Sequence, residues 1–346
     1  MDKKIKWGVI GSGGIARRRT IPEGITKAPH AVLSAVYDPD TKANSEVAAQ
    51  FGAVAVESIE ALLASDVDAV YIASPVNMHH SQVLAAAKAG KHILCEKSLG
   101  MNSAQVEEMI AACEKAGVLF SSGFMMRFIA QHRAVKEMIA QGHIGKPVYG
   151  RAQLSCWYPP IEGAWRQDPA LGGGGSLVDM GSHCIDLLEM FFGKVKRVAC
   201  FTANSVHGYA SEDSALCTLF FESGAMGSVD VFFCIPDNSS KNILEIYGSK
   251  GSILARGSVG QGAAGEMTAW LESDSAGYDA AQTRTSSEGV AIAPEAVNPY
   301  MAEIEEVNMA ILEGRKPAND ASIGLQNQKI VEACYDSART GRIIEL

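Results

Sequence analysis

An aspartate and a histidine, Asp179 and His183, lie four residues apart in a segment that begins with four glycines and continues as a predicted helix. Apolar residues recur there at three- and four-residue steps, which predicts one buried face: Leu177, Met180, Cys184, Leu187, Leu188 and Phe191. Asp179, His183 and Asp186 share a different face. A carboxylate and an imidazole one helical turn apart can serve as an acid/base pair. A capped helix with a polar face toward solvent is the alternative, so only a cofactor site elsewhere would favour catalysis.

The composition of the chain bounds its class and its partners. Its 346 residues are enough for two domains or one large domain, and 47% hydrophobic and 20% charged residues are ordinary for a globular protein. The formal net charge of −9 argues against nucleic acid or an anionic membrane as the main partner. No apolar run approaches the roughly 18 residues of a membrane span, and the N-terminal segment does not resemble a signal peptide.

The cysteines of the chain are scattered, and none forms a Cys-x-x-Cys pair: Cys95, Cys113, Cys156, Cys184, Cys200, Cys217, Cys234 and Cys334. Several lie within apolar runs, as buried free thiols do. This distribution predicts a cytoplasmic protein with reduced thiols rather than a disulfide framework. The same spacing argues against a structural zinc site, so we expect no metal.

Strand and helix patterns alternate through the first third of the chain, which predicts a parallel sheet covered by helices on both faces. After Gly123 the pattern changes to helices followed by longer consecutive strands, which is typical of an antiparallel sheet. We therefore expect an α/β nucleotide-binding domain over residues 1–123 and an α+β domain with an open, mostly antiparallel sheet over residues 124–346. The polar run 273–289 is predicted to be a loop. Strands of the second domain are predicted at Val195–Ala203, Ala215–Phe221, Ala225–Phe233, Asn242–Tyr247 and Met267–Glu272.

A glycine-rich turn follows the first predicted strand and opens a helix, with the sequence Gly11-Ser12-Gly13-Gly14-Ile15-Ala16. In a G-x-G-x-x-A turn the first glycine allows the tight turn, the second lets a pyrophosphate approach the backbone, and the alanine lets helix and strand pack closely. Asp38 ends the second predicted strand, where a carboxylate accepts hydrogen bonds from ribose hydroxyls and repels a 2′-phosphate. The sequence thus predicts a dinucleotide site that prefers NAD to NADP. The arginines at 17–19 would either reach the phosphates or form a solvated helix face.

Glu96 and Lys97 follow a predicted strand at its carboxyl end, which is the edge where open α/β sheets bind ligands. A lysine at this edge can meet a bound nicotinamide. From position alone, a surface Glu–Lys pair in a loop is about as good an interpretation, so the pair needs support from the rest of the chain.

The order of the motifs resembles the Gfo/Idh/MocA family, the group of glucose–fructose oxidoreductase and inositol dehydrogenase. That order is the glycine turn, Ser74-Pro75 with His79, AGKHILCEK over residues 89–97, Trp165-Arg166, four glycines and Asp179-x-x-x-His183. Glu96-Lys97 and the glycine-rich segment through His183 are together highly specific, and the resemblance covers essentially the whole chain. It implies a Rossmann domain joined to a domain with an open sheet, and NAD(P)-dependent oxidation or reduction of a sugar, cyclitol or related polyol.

The resemblance also implies that Lys97, Asp179 and His183 are the catalytic residues, which agrees with their chemistry. An imidazole has the ordinary pKa best suited to take a hydroxyl proton near neutral pH. Asp179 would orient the His183 ring or contact substrate, and Lys97 would stabilise negative charge on the reacting oxygen. The four glycines are interpreted as the segment that lets this helix approach the cofactor closely.

Further ligands are implied by the resemblance around these three residues. The expected cofactor contacts are Ser74, Pro75, His79, Glu96, Lys97, Arg127, Trp165 and Arg166. The expected substrate contacts are Lys97, Arg127, Tyr158, Asp179 and His183. Tyr158 is about as well interpreted as a packing residue at the domain junction.

The chain departs from the family pattern at Ser98, where the family usually has proline after Glu-Lys. A cis peptide bond before serine costs on the order of 3 kcal/mol relative to the trans form. The bond between Lys97 and Ser98 is therefore expected to be trans, or cis with strain, and the placement of Lys97 depends on which form occurs.

The predicted function is an NAD-dependent dehydrogenase that acts on a secondary hydroxyl or ketone of a sugar, glycoside or cyclitol. A redox-neutral enzyme that retains NAD and uses transient oxidation to drive elimination is the first alternative. A non-catalytic NAD-binding regulatory protein is the second, and the catalytic set argues against it. The resemblance further implies a homodimer or homotetramer that associates through the exposed face of the second sheet.

Overall fold

The computed structural model describes residues 3–272, 280 and 288–346, so most of the predicted loop 273–289 lies outside the described residues. Six strands form the first sheet: β1 (Ile5–Ile10), β2 (Ala31–Tyr37), β3 (Val54–Ala55), β4 (Ala69–Ile72), β5 (His92–Glu96) and β6 (Phe120–Gly123). All pairs in this sheet are parallel, and the order is β3-β2-β1-β4-β5-β6. The strand order reverses next to β1, and ligands bind at such a switch point.

Helices connect these strands, beginning with a π-helical segment at Ala16–Ile25 that contains Pro22. The others are α1 (Thr41–Phe51), α2 (Ile59–Ala64), α3 (Val76–Lys88) and α4 (Ser103–Ala116). Polar side chains cap the N-termini of α1, α2 and α4, because a cap side chain accepts hydrogen bonds from amides that have no partner within the helix. Asp40 caps α1 in this way, and Gly52 ends it at a φ of +71°.

The second sheet has nine strands: β7 (Pro147–Ser155), β8 (Val195–Ala203), β9 (Ser214–Phe221), β10 (Met226–Phe232), β11 (Ile243–Gly248), β12 (Gly251–Arg256), β13 (Glu266–Leu271), β14 (Val290–Ala291) and β15 (Ile344–Glu345). Their order is β14-β13-β12-β11-β7-β10-β9-β8-β15. Only the β7–β10 pair among these described strands is parallel. The predicted fold class is therefore confirmed, whereas the sequence patterns missed the central strand β7, in which Pro147 and Gly150 interrupt the apolar alternation.

The helices of the second half cover one face of the second sheet, and some of them also pack against the first domain. They are α5 (Ala130–Ala140), α6 (Pro169–Gly172), α7 (Ser182–Phe192), α8 (Pro299–Glu313) and α9 (Ala321–Thr340), with a π-helical segment at Leu177–Gly181 before α7. The predicted stripe of α7 and its preceding turn is buried at all six positions, from Leu177 to Phe191. It packs in one core with the inner faces of β7, β9 and β10.

The helix α8 packs on the first sheet rather than on the second. Its Ile304 and Val307 are buried in the core that contains Trp7, and the Trp7 indole donates to the Asn308 side chain at 2.9 Å. The first sheet ends with β6 at Gly123 and the second begins with β7 at Pro147, and the segment from 124 to 346 also contributes to the core of the first domain.

The cysteines are free thiols, and three that are far apart in the chain come together in the core. The sulfur atoms of Cys200, Cys217 and Cys334 all lie within 4.8 Å of one another. Spacing along the chain could not reveal this cluster, because β8, β9 and α9 bring the three residues together only in the folded protein. Every helix within the described residues is too short or too polar to cross a bilayer.

Candidate active site

A cavity of about 420 Å³ is lined by residues from both halves of the chain. The first half contributes Ile15, Ser74 and Lys97, which follow the carboxyl ends of β1, β4 and β5. The second half contributes Asp179 and His183, together with the end of β7 and the connection between β10 and β11. The cavity therefore joins the glycine turn to the predicted catalytic residues.

The glycine turn has the close approach that a dinucleotide site requires. Gly11 has a φ of +82°, and a Cβ at this position would lie 2.8 Å from the carbonyl carbon of Ala73 and from the nitrogen of Ser74. The Gly13 amide donates to the Asp38 carboxylate at 2.9 Å, which places this acid directly beside the turn. Gly14 also has positive φ, and Ala16 is fully buried. These residues fit an NAD-type cofactor whose phosphates meet the turn and whose ribose meets Asp38.

His79 holds the two loops that bracket the cavity. Its ring nitrogens lie 2.9 Å from the carbonyl oxygens of Ser74 and Ser98, and burial lowers its pKa. Pro75 begins α3 beside this contact, outside the cavity lining that the described residues form. The imidazole of His79 thus positions the turn after β4 against the segment that carries Lys97.

Lys97 and Asp179 form an ion pair across the cavity. The Lys97 ammonium donates to Asp179 Oδ1 at 2.8 Å and also to the main-chain carbonyl of Asp179. The Nε of Arg166 lies 3.0 Å from the same carboxylate oxygen. Burial alone would raise the pKa of Asp179, but the charges of Arg166 and Lys97 outweigh it and hold the pKa well below its usual range. The peptide bond between Lys97 and Ser98 is cis.

His183 is neutral and packs edge-on against Phe124. Burial, reinforced by the positive charge of Lys97, lowers its pKa to about 3, although Asp179 acts in the opposite direction. Within the described part of the chain its Nδ1 is buried without a hydrogen-bond partner, which leaves Nε2 as the nitrogen accessible from the cavity. The expected hydrogen bond from His183 to Asp179 is not the one that forms, because the Asp179 carboxylate is bound by Lys97 and Arg166.

Arg127 contacts an aspartate rather than the cavity. Its Nε lies 2.8 Å from both carboxylate oxygens of Asp186, which is only 1% exposed. Burial raises the pKa of Asp186, and the arginine partly offsets this. The contacts of Arg127 therefore do not support the prediction that it binds cofactor or substrate. The Asp186 carboxylate is instead the buried ion-pair partner of Arg127.

The four glycines allow close contact with the protein itself, which corrects the expectation that they approach the cofactor. A Cβ at Gly175 would lie 2.0 Å from the main-chain oxygen of Glu212, and one at Gly174 would lie 1.9 Å from the Tyr335 hydroxyl. The Glu212 carboxylate accepts from the amides of Gly175 and Leu177 and from Tyr335. Glu212 thereby caps the segment that carries Asp179, a role that nothing in its local sequence indicated.

Of the remaining residues predicted to bind cofactor or substrate, some line the cavity and one packs outside its lining. Trp165 lines the cavity and stacks under the Arg166 guanidinium at 4.1 Å, and Glu96 lines it while accepting from Tyr71. Tyr158 lies outside the lining formed by the described residues, with its ring centroid 5.0 Å from that of Phe233. The ring of Tyr158 fits the packing interpretation, while its hydroxyl forms a hydrogen bond with Arg166, which lines the cavity.

Several cavity residues were not identified from the sequence. They come from the end of β7 and from loops of the second sheet: Ser155, Cys156, Asp237, Asn242 and Gln261. The strand β7 itself was missed, and polar loop residues without a motif give no sequence signal for a site.

Comparisons with known proteins place this architecture among the NAD-binding oxidoreductases. The model of an oxidoreductase family with an NAD-binding Rossmann fold matches residues 5–124, and that of the GFO/IDH/MocA C-terminal domain matches residues 132–254. The chain is 31% identical over 267 residues, 76% of its length, to a 1,5-anhydro-D-fructose reductase of Ensifer adhaerens, of which 79% is covered. It is 33% identical over 263 residues, 72% of its length, to a myo-inositol 2-dehydrogenase of Thermotoga maritima, of which 74% is covered.

A solved structure gives the same result over the whole length. An aldose-aldose oxidoreductase from Caulobacter crescentus superimposes with a TM-score of 0.88 at 26% identity, over 99% of this chain and 100% of that one. The chain belongs to the Gfo/Idh/MocA oxidoreductase family. This confirms the predicted family, fold class, enzyme class and NAD-binding domain, while the assignments of individual site residues stay predictions.

Proposed function

We propose that the chain transfers a hydride between NAD and a secondary hydroxyl or ketone of a sugar, glycoside or cyclitol. The observation that carries the proposal is that Lys97 and a neutral His183 line one cavity with the turn that follows the first strand. The names of the two similar enzymes, which act on an anhydrosugar and an inositol, support a carbohydrate or polyol substrate. Bound NAD supplies the hydride acceptor when the alcohol is oxidised.

The protein's own residues hold the substrate and move its proton. His183 is neutral at physiological pH, so its Nε2 can accept the hydroxyl proton as hydride leaves the same carbon. Lys97 donates a hydrogen bond to the reacting oxygen and stabilises the negative charge that develops there. Asp179 and Arg166 position the Lys97 ammonium through the shared carboxylate.

Two alanine variants test this assignment. Lys97→Ala and His183→Ala should each lower kcat/KM by about 10²- to 10⁴-fold, the range for loss of a general acid/base or an electrostatic contact. Both should still bind NADH, and an exposed-lysine variant, Lys115→Ala, should keep full activity. The measurement is NADH formation with a panel of monosaccharides, inositols and glycosides. Undiminished turnover in both variants would show that the catalytic assignment is wrong, and turnover without net NADH would favour the redox-neutral alternative.

We infer that the cofactor is NAD rather than NADP, because the Asp38 carboxylate lies beside the turn where a 2′-phosphate would be placed. Asp38→Ser should reduce the ratio of kcat/KM for NAD over NADP by at least about tenfold, since it removes a charge repulsion of order 1.4 kcal/mol or more. A ratio that does not change would remove the support for this preference.

We also propose that the chain forms a homodimer or homotetramer through the uncovered face of the second sheet. Large apolar side chains are exposed on that face, including Phe201, Leu216 and Met226. Contiguous exposed apolar residues of this kind mark interaction surfaces. For the cell compartment, eight free thiols support the reducing cytoplasm.

A further inference from the structure

The wall of the cavity opposite the first domain carries three polar side chains that the proposed chemistry does not use. Ser155 ends β7, and Asp237 and Asn242 lie in the connection between β10 and β11. The residues just after β7 still pair with the end of β10, since the Cys156 amide donates to the Phe232 carbonyl oxygen at 2.9 Å. The wall is therefore built from the end of β7 and the loop between β10 and β11.

Asn242 has a backbone conformation that most residues avoid. Its φ of +46° is the only positive value at a non-glycine residue within the described part of the chain. Asparagine tolerates this region, and such outliers concentrate at functional sites. The side-chain Oδ1 accepts from the Ser155 amide at 3.2 Å and from the Ser240 hydroxyl at 2.6 Å. These two donors define which end of the amide is oxygen, so the Nδ2 donor is left for the cavity.

Asp237 and Ser155 also have unused hydrogen-bonding capacity. The Asp237 Oδ1 accepts from the Trp157 amide at 3.1 Å, and within the described residues no bond is formed by its second oxygen. The Ser155 hydroxyl is buried, with the residue 4% exposed, and it has no partner among the described residues. A buried hydroxyl without a partner is unfavourable, and because Ser155 lines the cavity, a ligand hydroxyl that reaches it would supply that partner.

This wall is close to the catalytic end of the cavity. Burial, together with the nearby carboxylates of Asp179 and Asp237, raises the pKa of the Cys156 thiol to about 12. Cys156, Asp179 and Asp237 all line the same cavity, so this wall and the catalytic residues face one enclosed space.

We propose that Ser155, Asp237 and Asn242 form the subsite that binds hydroxyl groups of a neutral polyol away from the reacting carbon, and that Asp237 excludes acidic substrates. This inference rests on the proposed function. A carboxylate with a free oxygen accepts hydrogen bonds from neutral hydroxyls and repels a carboxylate or phosphate. Three cations of the described chain line the cavity: Lys97 and Arg166 pair with Asp179, and Arg18 belongs to the helical segment after the glycine turn. Within the described residues none of them forms an ion pair with Asp237.

The test compares neutral sugars with their uronic acids in the presence of cofactor. Asp237→Asn should raise KM for a neutral substrate by about 10- to 100-fold, since a hydrogen bond to a charged group contributes roughly 1.5–3 kcal/mol. The kcat value should change less than about threefold. The preference for the neutral sugar over its uronic acid should fall at least tenfold. Ser155→Ala should raise KM by about 3- to 10-fold without changing that preference.

The controls separate this inference from the function on which it rests. Glu222→Gln, which removes a carboxylate from an exposed turn, should behave as wild type, and Asp237→Asn should keep its thermal stability and NADH affinity. Sugar binding in the presence of NADH is measured for every protein by calorimetry. If the wild type forms NADH and Asp237→Asn changes neither the KM for the neutral sugar nor the preference for it, the subsite proposal is wrong and the proposed function stands. A protein that binds neutral polyols in an Asp237-dependent way but forms no NADH keeps the subsite and overturns the function. Preference of the wild type for uronic acids, or no polyol binding at all, overturns the subsite.

Discussion

At the scale of residues, the site depends on the charges of three neighbouring side chains, Asp179, Lys97 and Arg166. Asp179 carries the negative charge and binds both Lys97 and Arg166. Burial is the main cause that lowers the pKa of His183 and keeps its imidazole neutral, and the charge of Lys97 lowers that pKa further. A neutral imidazole is the form that accepts a proton. The ion pair therefore affects the pKa of His183 through its charges rather than through a hydrogen bond from the imidazole to Asp179.

We predict that the pKa of His183 depends on Lys97. In the wild type it lies near 3, well below the usual value, because of burial and the Lys97 charge. Lys97→Met removes the second cause, so the pKa should rise while staying below the ordinary value that burial opposes. Titration of the imidazole resonances by NMR, with His183→Gln to assign the signal, measures this without turnover. A wild-type pKa of 6.5 or higher, or no change in Lys97→Met, would contradict the electrostatic account.

At the scale of elements, the segment before α7 shows how a glycine run positions a catalytic side chain. Gly174 lies against Tyr335 and Gly175 against Glu212. The Glu212 carboxylate accepts hydrogen bonds from the amides of Gly175 and Leu177 at the start of the π-helical turn. The turn then presents Asp179 to Lys97. The position of Asp179 is thus determined by contacts with β9 and α9 as much as by its own helix.

Substitution in this run should therefore affect both stability and activity. Gly175→Ala places a Cβ 2.0 Å from the Glu212 carbonyl oxygen, so the backbone must move. We expect a loss of more than about 2 kcal/mol in the free energy of unfolding, as for overpacked sites, and a lower kcat because Asp179 shifts. Gly208→Ala is the matched control, since its Cβ would meet no atom within 4 Å and should change stability by less than about 0.5 kcal/mol. Urea unfolding and steady-state kinetics check both, and equal behaviour of the two variants would contradict the packing argument.

At the scale of the whole molecule, helices cover one face of the second sheet and leave the other face uncovered. Phe201 is 74% exposed on β8 and lies opposite Leu216, 48% exposed on β9. Burying such side chains favours association by about 25 cal/mol per Å² of apolar surface. The polar wall of the cavity begins at Ser155, the last residue of the central strand β7. Association and substrate binding would therefore use different parts of the second sheet.

A charge on this face should disrupt assembly. Phe201→Glu is expected to reduce the mass in solution to that of a monomer, because a buried unpaired carboxylate is costly at an interface. Val54→Glu introduces the same charge at an exposed position of β3 in the first sheet and should leave the mass unchanged. Light scattering after size exclusion measures both. A Phe201→Glu protein of unchanged mass would locate the interface elsewhere.

Local patterns alone determined a large part of this protein. The glycine turn, the acid after β2 and the alternation of strand and helix predicted the NAD-binding domain, because turn geometry and sheet periodicity depend on residues close in the chain. The apolar stripe of α7 and the Asp179–His183 pair followed from helical spacing for the same reason. Tertiary structure alone decided which partner each charge takes: Asp179 with Lys97 and Arg166, and Asp186 with Arg127. It also decided that the glycines meet Glu212 and that Ser155, Asp237 and Asn242 share one wall. These contacts join residues that lie up to 87 positions apart in the chain, and only the packing of the folded protein brings them within reach.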